Sequence, residues 1–366
     1  MILSDDMYVP TLRWRQGEYQ ALMQLSPPIK SKIVPLIFVP EVEFDFELRQ
    51  PRKSVHEHVF PFPGRFRKKW RPRPAWITLD EKIAVGRMSG RSHVFDYIFD
   101  NLRLYQACGI PAAPLDADAD TLAAAQRAIA QDQYGFGIIV RLEDLMTRNP
   151  KRRVVKVLTA VSAEPEDTDL IVDLRAPNFE PYAEFAKALV VAMRKMGDLN
   201  QFRNLVLVST AIPESFANVA KGTDELPRHD WLFYQAFLAD LPNGMRRPNY
   251  GDYTIVHPNF VARDMRLIKA AGKVVYTTSH SWATRKGGAF RGNEVQMHTH
   301  CEEIVKDTVF QFQGAGFSYG DAFIARCAAK LEGPSNLTRW KSVAINHHMT
   351  MVTNDLAKLT VASLRP

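Results

Sequence analysis

The residues with chemistry to offer stand where short apolar runs end. Arg13, Arg15 and Glu18 follow the extended Tyr8–Leu12, Glu41 follows Ile33–Val39, Asp80 closes Trp76–Asp80 and Asp116 closes Pro111–Asp116. Arg141, Asp173 and Ser209 stand at the ends of Phe136–Arg141, Asp169–Asp173 and Asn204–Thr210, and Asp252 adjoins Tyr253–His257. Acids alternating with arginines suit an anionic ligand. A guanidinium grips phosphate or carboxylate in a planar fork, and carboxylates hold a divalent cation or move protons. Glu18, Glu41, Asp80, Asp116 and Asp173 are therefore the candidate catalytic residues, and Arg13, Arg15, Arg141, Ser209 and Asp252 the candidate ligand-binding ones. If the protein is an enzyme, metal-assisted phosphodiester hydrolysis is the reaction to test, with Glu41, Asp80, Asp116 and Asp173 around a divalent metal ion as cofactor. The competing reading needs no ligand, since an acid at a strand-to-helix turn commonly caps the next helix and pairs with a nearby arginine. Three carboxylates within metal-bridging distance would favour the enzyme. Carboxylates spent on caps and arginine pairs would favour a binding module.

A second set is concentrated in one stretch. Between Arg49 and Arg73 nine basic residues face one acid, Glu57, whereas the whole chain carries +7, so the remainder is close to neutral. Phe60, Phe62, Phe66 and Trp70 are interleaved with the cations. Cations for phosphates and aromatic faces for bases are what single-stranded nucleic acid requires, which makes Arg65, Arg67, Lys68, Lys69, Trp70 and Arg71 candidate nucleic-acid contacts. A clamp for a partner protein, or a solvated loop with its aromatics tucked inward, accounts for the same residues. Prolines at 61, 63, 72 and 74 argue against a helix or a central strand, so residues 44–75 read as an inserted loop, extended or partly ordered.

The histidines and cysteines point to no metal centre. His298 and His300 lie two apart in a helical stretch and face different ways, and adjacent His347 and His348 allow one ring to face inward. No H-E-x-x-H, G-x-S-x-G or Cys–His ligand spacing occurs. Cys108, Cys301 and Cys327 are widely spaced and odd in number, as free thiols of a reducing compartment are. Gly287-Gly288, near Arg291, reads as a hairpin turn or as a flexible basic loop able to fold over a ligand.

The elements that must position these residues follow from the apolar pattern. The 366 residues are 46% hydrophobic, enough for a large core. The eight runs named above are short; Ile33–Val39 is dense in branched residues, as a strand buried on both faces is, and Pro111–Asp116 is the weaker strand of the set. Helical periodicity falls between most of them, for example over Ser92–Ala107, Leu122–Ala130, Pro181–Met196 and Arg228–Leu241. Eight alternating units in about 250 residues are the size of a TIM-like (β/α)8 barrel, and no G-x-G-x-x-G supports a doubly wound rival. Beyond Pro258, Lys273–Ser279 and Trp282–Arg285 suit a hairpin or capping ribbon, and Asn293–Val309, Gly320–Leu331 and Thr338–Leu359 suit helices. The expected organisation is a barrel over 1–260, carrying the basic insertion at 44–75, and a hairpin plus helical C-terminal extension over 261–366. With no long apolar run and no signal-peptide pattern at the N-terminus, a cytoplasmic protein away from membranes is expected.

Tyr8-x-Pro10-x-Leu12-Arg13-x-Arg15-x-Gly17-Glu18 resembles the N-terminal signature of the beta family proteins of bacteria and their phages. Further along, Gly251-Asp252-Tyr253, Tyr276…Trp282…Arg285, Phe317-Ser318-x-Gly320-Asp321, and Asn336-Leu337-Thr338-x-Trp340 followed by Asn346-His347-His348 carry the same resemblance, in order, across nearly the whole chain. It implies a cytosolic protein encoded near mobile elements and antiviral phage-defence genes, and it brings no reaction with it. It adds Tyr276, Trp282 and Arg285 to the ligand-binding candidates and gives Asp321 a role beyond helix capping. The basic segment lies outside it. The expectation is a barrel that binds a phosphorylated ligand, nucleotide or nucleic acid at its rim, with phosphodiester hydrolysis as its reaction if it has one. The alternative is a non-catalytic scaffold for partner proteins of a defence operon.

Overall fold

A computed structural model describes residues 1–259 and 269–363, with side chains through 361. The chain divides into two compact units. One comprises Met1–Trp14, Val34–Ser209 and Leu232–Asp252, the other Arg15–Ile33, Thr210–Trp231 and Tyr253–Pro366. The boundary expected at 260/261 lies outside the described residues.

The first unit is a closed barrel of eight parallel strands: Val9–Leu12 (β1), Leu36–Val39 (β2), Ala75–Leu79 (β3), Gly109–Pro114 (β4), Phe136–Arg141 (β5), Thr168–Asp173 (β6), Asn204–Ser209 (β7) and Asn249–Asp252 (β8). Each strand pairs with the next in the chain, and β8 closes on β1 through Val9↔Gly251 and Pro10↔Asp252. β6 and β7 are buried along their full length, which is why each carries an uninterrupted apolar stretch, Leu170–Val172 and Leu205–Val208. The closing strand does not: it is Asn-Tyr-Gly-Asp, four residues earlier than the Tyr253–His257 run suggested. Its glycine is a packing requirement, since a methyl group at Gly251 would lie 2.8 Å from both Val208 Cγ2 and the Val9 carbonyl oxygen.

A polar plug fills the barrel at the strand starts. The buried Asp169 carboxylate accepts from Trp76 Nε1 (2.7 Å), Arg203 Nε and Nη2 (2.8 and 2.6 Å) and Asn204 Nδ2 (2.6 Å). A fully bonded carboxylate at this end of a barrel belongs to stability and not to ligand binding.

The basic segment corrects the loop expectation. After a two-residue hairpin, Phe44–Asp45 with Gln50–Pro51, it forms helices over Val55–Val59 and Phe62–Trp70. Ser54 and Glu57 make a reciprocal capping box on the first helix. In the second, Pro63 falls in the first turn, where a backbone N–H has no helical partner to lose. Phe62, Phe66 and Trp70 recur every four residues and are buried, and both phenylalanines meet Trp14, with ring centroids 5.6 and 5.7 Å away.

The second unit holds an antiparallel sheet ordered Gly222–Pro227, Ser281–Ala289, Ala271–Thr277. It also contains helices Gln16–Met23, Gln296–Lys306, Tyr319–Ala328 and the long Leu337–Ser363. Its core joins Val274, Tyr276, Met297, Ile304, Phe323 and Trp340. Among the described residues no helix is long and apolar enough to cross a membrane.

Candidate functional site

At the barrel strand ends the acids are engaged by local partners. Glu41 pairs with Lys82 (2.5 Å). Asp80 caps the helix Glu81–Ala84 by accepting from Lys82 N (3.2 Å). Arg141 reaches Asp116 (3.3 Å) and Glu81 (3.4 Å), while Asp173 accepts from Arg175 N (2.9 Å). Burial works against the Arg141 charge, but the surrounding carboxylates, Asp116 and Glu81 first, outweigh it and raise its pKa. Ser209 and Asp252 are buried, and Asp252 accepts from the Tyr8 hydroxyl (2.5 Å). Arg13 and Arg15 are half-buried and partnered. Among the described residues no three His, Cys, Asp or Glu side chains are placed to hold a metal ion.

Glu18 belongs to the second unit, where it is buried on the helix Gln16–Met23 and accepts from Lys341 Nζ (2.9 Å).

On the basic helix Arg67, Lys68 and Arg71 are exposed, Arg65 and Lys69 half-buried, and Trp70 buried with its Nε1 donating to the Pro74 carbonyl (3.0 Å). Burial, and then the Lys68 and Arg65 charges, lower the Lys69 pKa, the mark of cations crowded on one face. Of the four interleaved aromatics only Phe60 is exposed, and it stacks on Tyr97. Arg67, Lys68 and Arg71 face solvent where phosphates could reach them, but most of the aromatic faces that bases would stack on are buried.

The second unit brings the C-terminal motifs together. Asp321 sits in the first turn of Tyr319–Ala328, where Ser318 is the N-cap. Its carboxylate accepts from Ser318 Oγ (2.5 Å), Tyr276 Oη (2.6 Å) and His347 Nδ1 (2.9 Å). The other ring nitrogen of His347 meets the Thr277 carbonyl oxygen at 2.8 Å. Both ring nitrogens thus face oxygen atoms. The Tyr276 and His347 rings stack at 3.8 Å. Burial works against the Asp321 charge, but His347, Ser318 and Tyr276 outweigh it and hold the carboxyl below the usual range. Burial, and then Asp321, push the Tyr276 hydroxyl well up. Asn346 accepts from Gly320 N (3.0 Å) and donates to the Ala21 carbonyl (3.0 Å), and His348 Nδ1 meets Thr277 Oγ1 at 2.9 Å. Tyr276, Asp321, His347 and His348 are all buried, so this network orders helices and strand. Trp282 is buried against Ile212, Val275 and Ala344, and Arg285 pairs with Glu303.

Beside this framework the second unit contains a cavity of about 620 Å³. Four lysines line it, Lys269, Lys273, Lys286 and Lys341, with Phe216 and Trp340 as aromatic walls and Ile255, Val275, Leu337 and Ala344 among its apolar lining. No carboxylate is among the described lining residues. Lys286 spends its three donors on the carbonyls of Phe216 (2.8 Å), Ala217 (2.9 Å) and Val219 (2.6 Å), so it supplies charge and not a hydrogen bond. Lys273 Nζ lies 4.7 Å from the centroid of the Phe216 ring. Burial, and then the Lys286 and Lys341 charges, lower its pKa. Sequence reasoning missed these residues, which come from segments far apart in the chain. Only Leu337 and Trp340 stood in a motif.

A family model described as Beta protein matches residues 8–354. No curated protein matches the chain.

Proposed function

The chain belongs to the Beta protein family, and from that premise we propose that it binds a phosphorylated small ligand with a flat apolar part, such as a nucleotide, in the lysine-lined cavity. One observation carries the reading: four cations converge on a space of about 620 Å³ with two aromatic walls and no carboxylate among its described lining residues. That volume is in the range of small-molecule sites, and an apolar wall with a few placed charges is their usual composition. Lys273 and Lys286 are half-buried like charges that repel one another, and an anion that neutralises them relieves the cost.

The same reading favours binding over hydrolysis. The strand-end carboxylates expected to hold a metal ion are engaged by Lys82, Arg141 and backbone N–H groups, leaving no convergent set among the described residues. A ligand-binding role within cytoplasmic phage–host conflict is the biological setting we infer from the family resemblance.

Calorimetric titration with ADP and pyrophosphate tests the proposal. Replacing Lys269 and Lys273 with methionine removes two cavity charges. With charged hydrogen bonds at about 1.5–3 kcal/mol each, Kd should rise roughly tenfold to a hundredfold per lysine. Equal affinity in wild type and variant would refute binding at this cavity.

A further inference from the structure

We propose that Lys273 is a reactive amine that forms a Schiff base with the carbonyl carbon of a phosphorylated aldehyde or ketone held in this cavity. The inference rests on the anion-binding reading above and narrows it to carbonyl compounds.

The cavity lysines are not equivalent. The ammonium of Lys286 is anchored by three carbonyls, and that of Lys341 by the buried Glu18. Lys273 is presented by the strand Ala271–Thr277 to the same cavity, half-buried, with its Nζ over the face of Phe216 and no acid among the described lining residues to hold it charged. Burial and the adjacent cations favour its neutral form, and an amine next to other cations in an apolar wall is the environment that makes lysine a nucleophile. Lys286 and Lys341 then supply positive charge for the phosphate, while Phe216 and Trp340 flank the organic part.

In the step itself, the Nζ lone pair adds to the carbonyl carbon. A proton passes from nitrogen to the new alkoxide, and the carbinolamine loses its oxygen as water to leave a C=N bond. No electrons are gained or lost, water is the only leaving group, and hydrolysis reverses the reaction.

Pyridoxal 5′-phosphate is a suitable probe, since it combines an aldehyde, a phosphate and a flat ring. The full-length protein is incubated with it, reduced with sodium borohydride and mapped by peptide mass spectrometry. The expected result is a single reduced adduct, on Lys273, formed before surface lysines are modified and competed by pyrophosphate. K273R keeps the charge and should lose the adduct while still binding pyrophosphate in titration, which also shows that the variant is folded. Adduct spread over surface lysines, or an unchanged yield in K273R, overturns the proposal. If the probe binds and pyrophosphate displaces it but borohydride traps nothing on Lys273, the imine fails and the anion site stands. If neither binding nor adduct is seen, both fail.

Discussion

Replacing Asp321 with asparagine strikes the most connected buried polar group of the second unit. The carboxylate is fully buried and accepts from Ser318 Oγ, Tyr276 Oη and His347 Nδ1 at 2.5, 2.6 and 2.9 Å. An amide keeps the shape but turns one oxygen into a donor and removes the charge opposite His347, whose second nitrogen is committed to the Thr277 carbonyl. Breaking one side of a buried pair costs about 3–5 kcal/mol, because the remaining group stays buried without its partner. Measured against total stabilities of about 5–15 kcal/mol, D321N should unfold at distinctly lower urea concentration, followed by circular dichroism. A double-mutant cycle with H347Q should return a coupling of about 0.5–3 kcal/mol. The effect also has a sign in pH. The carboxyl of Asp321 is held below its usual range, so its contribution is fully present above the unfolded value of about 3.9 and is lost as pH falls through the depressed folded value. The stability gap between wild type and D321N should therefore narrow in acid and be constant near neutrality. A change within about 0.5 kcal/mol, the range of ordinary surface substitutions, or a gap that widens in acid, would refute this account of the network.

Three other substitutions probe separate parts of the structure. G251A places a methyl group 2.8 Å from Val208 Cγ2 and the Val9 carbonyl oxygen where the barrel closes, and should cost about 1–3 kcal/mol in denaturant unfolding. R228M leaves Asp355, 3.2 Å from the buried guanidinium, without its cation; burial already raises the Asp355 pKa against the pull of Arg228, so about 3–5 kcal/mol of stability should be lost near neutral pH and less in acid, measured by thermal unfolding across pH. Replacing Arg67, Lys68, Lys69 and Arg71 with alanine should weaken binding to any polyanion and flatten its dependence on salt by roughly 0.7 for each single-strand phosphate no longer neutralised, and an unchanged slope would remove the basic helix as a nucleic-acid binding element.

How much of this was legible in the sequence depends on what each element had to bury. The barrel was, because strands such as Thr168–Asp173 and Asn204–Ser209 are covered on both faces and carry uninterrupted apolar stretches, Leu170–Val172 and Leu205–Val208. Asn249–Asp252 was not: it closes the ring with a glycine and two polar residues, and the apolar run beside it drew attention four residues downstream. The helix Phe62–Trp70 was hidden by prolines that fall where a helix tolerates them, although the spacing of Phe62, Phe66 and Trp70 already showed one face. The helix Pro150–Val161 carried a readable stripe, Val154, Val157, Leu158 and Val161, among its basic residues. Strand Gly222–Pro227 alternates between half-buried and exposed with little apolar content to mark it.

The site was less legible than the fold for a physical reason. An acid at a strand end looks the same in sequence whether it faces a ligand, caps a helix as Asp80 does, or pairs with an arginine as Asp116 does. The C-terminal motif residues Asp321, Asn346 and His347 stand out in type and prove to be buried structural partners. The cavity lysines stand out in nothing. They are ordinary residues whose meaning comes from five stretches of chain, 215–217, 255, 269–275, 286 and 337–344, meeting around one space.

The most direct measurement is a crystal structure of the protein soaked with ADP. The account predicts phosphate density in the lysine-lined cavity beside Lys269, Lys286 and Lys341, with the adenine ring between Phe216 and Trp340. ADP bound elsewhere, or no ADP at a concentration that saturates the titration, would contradict it.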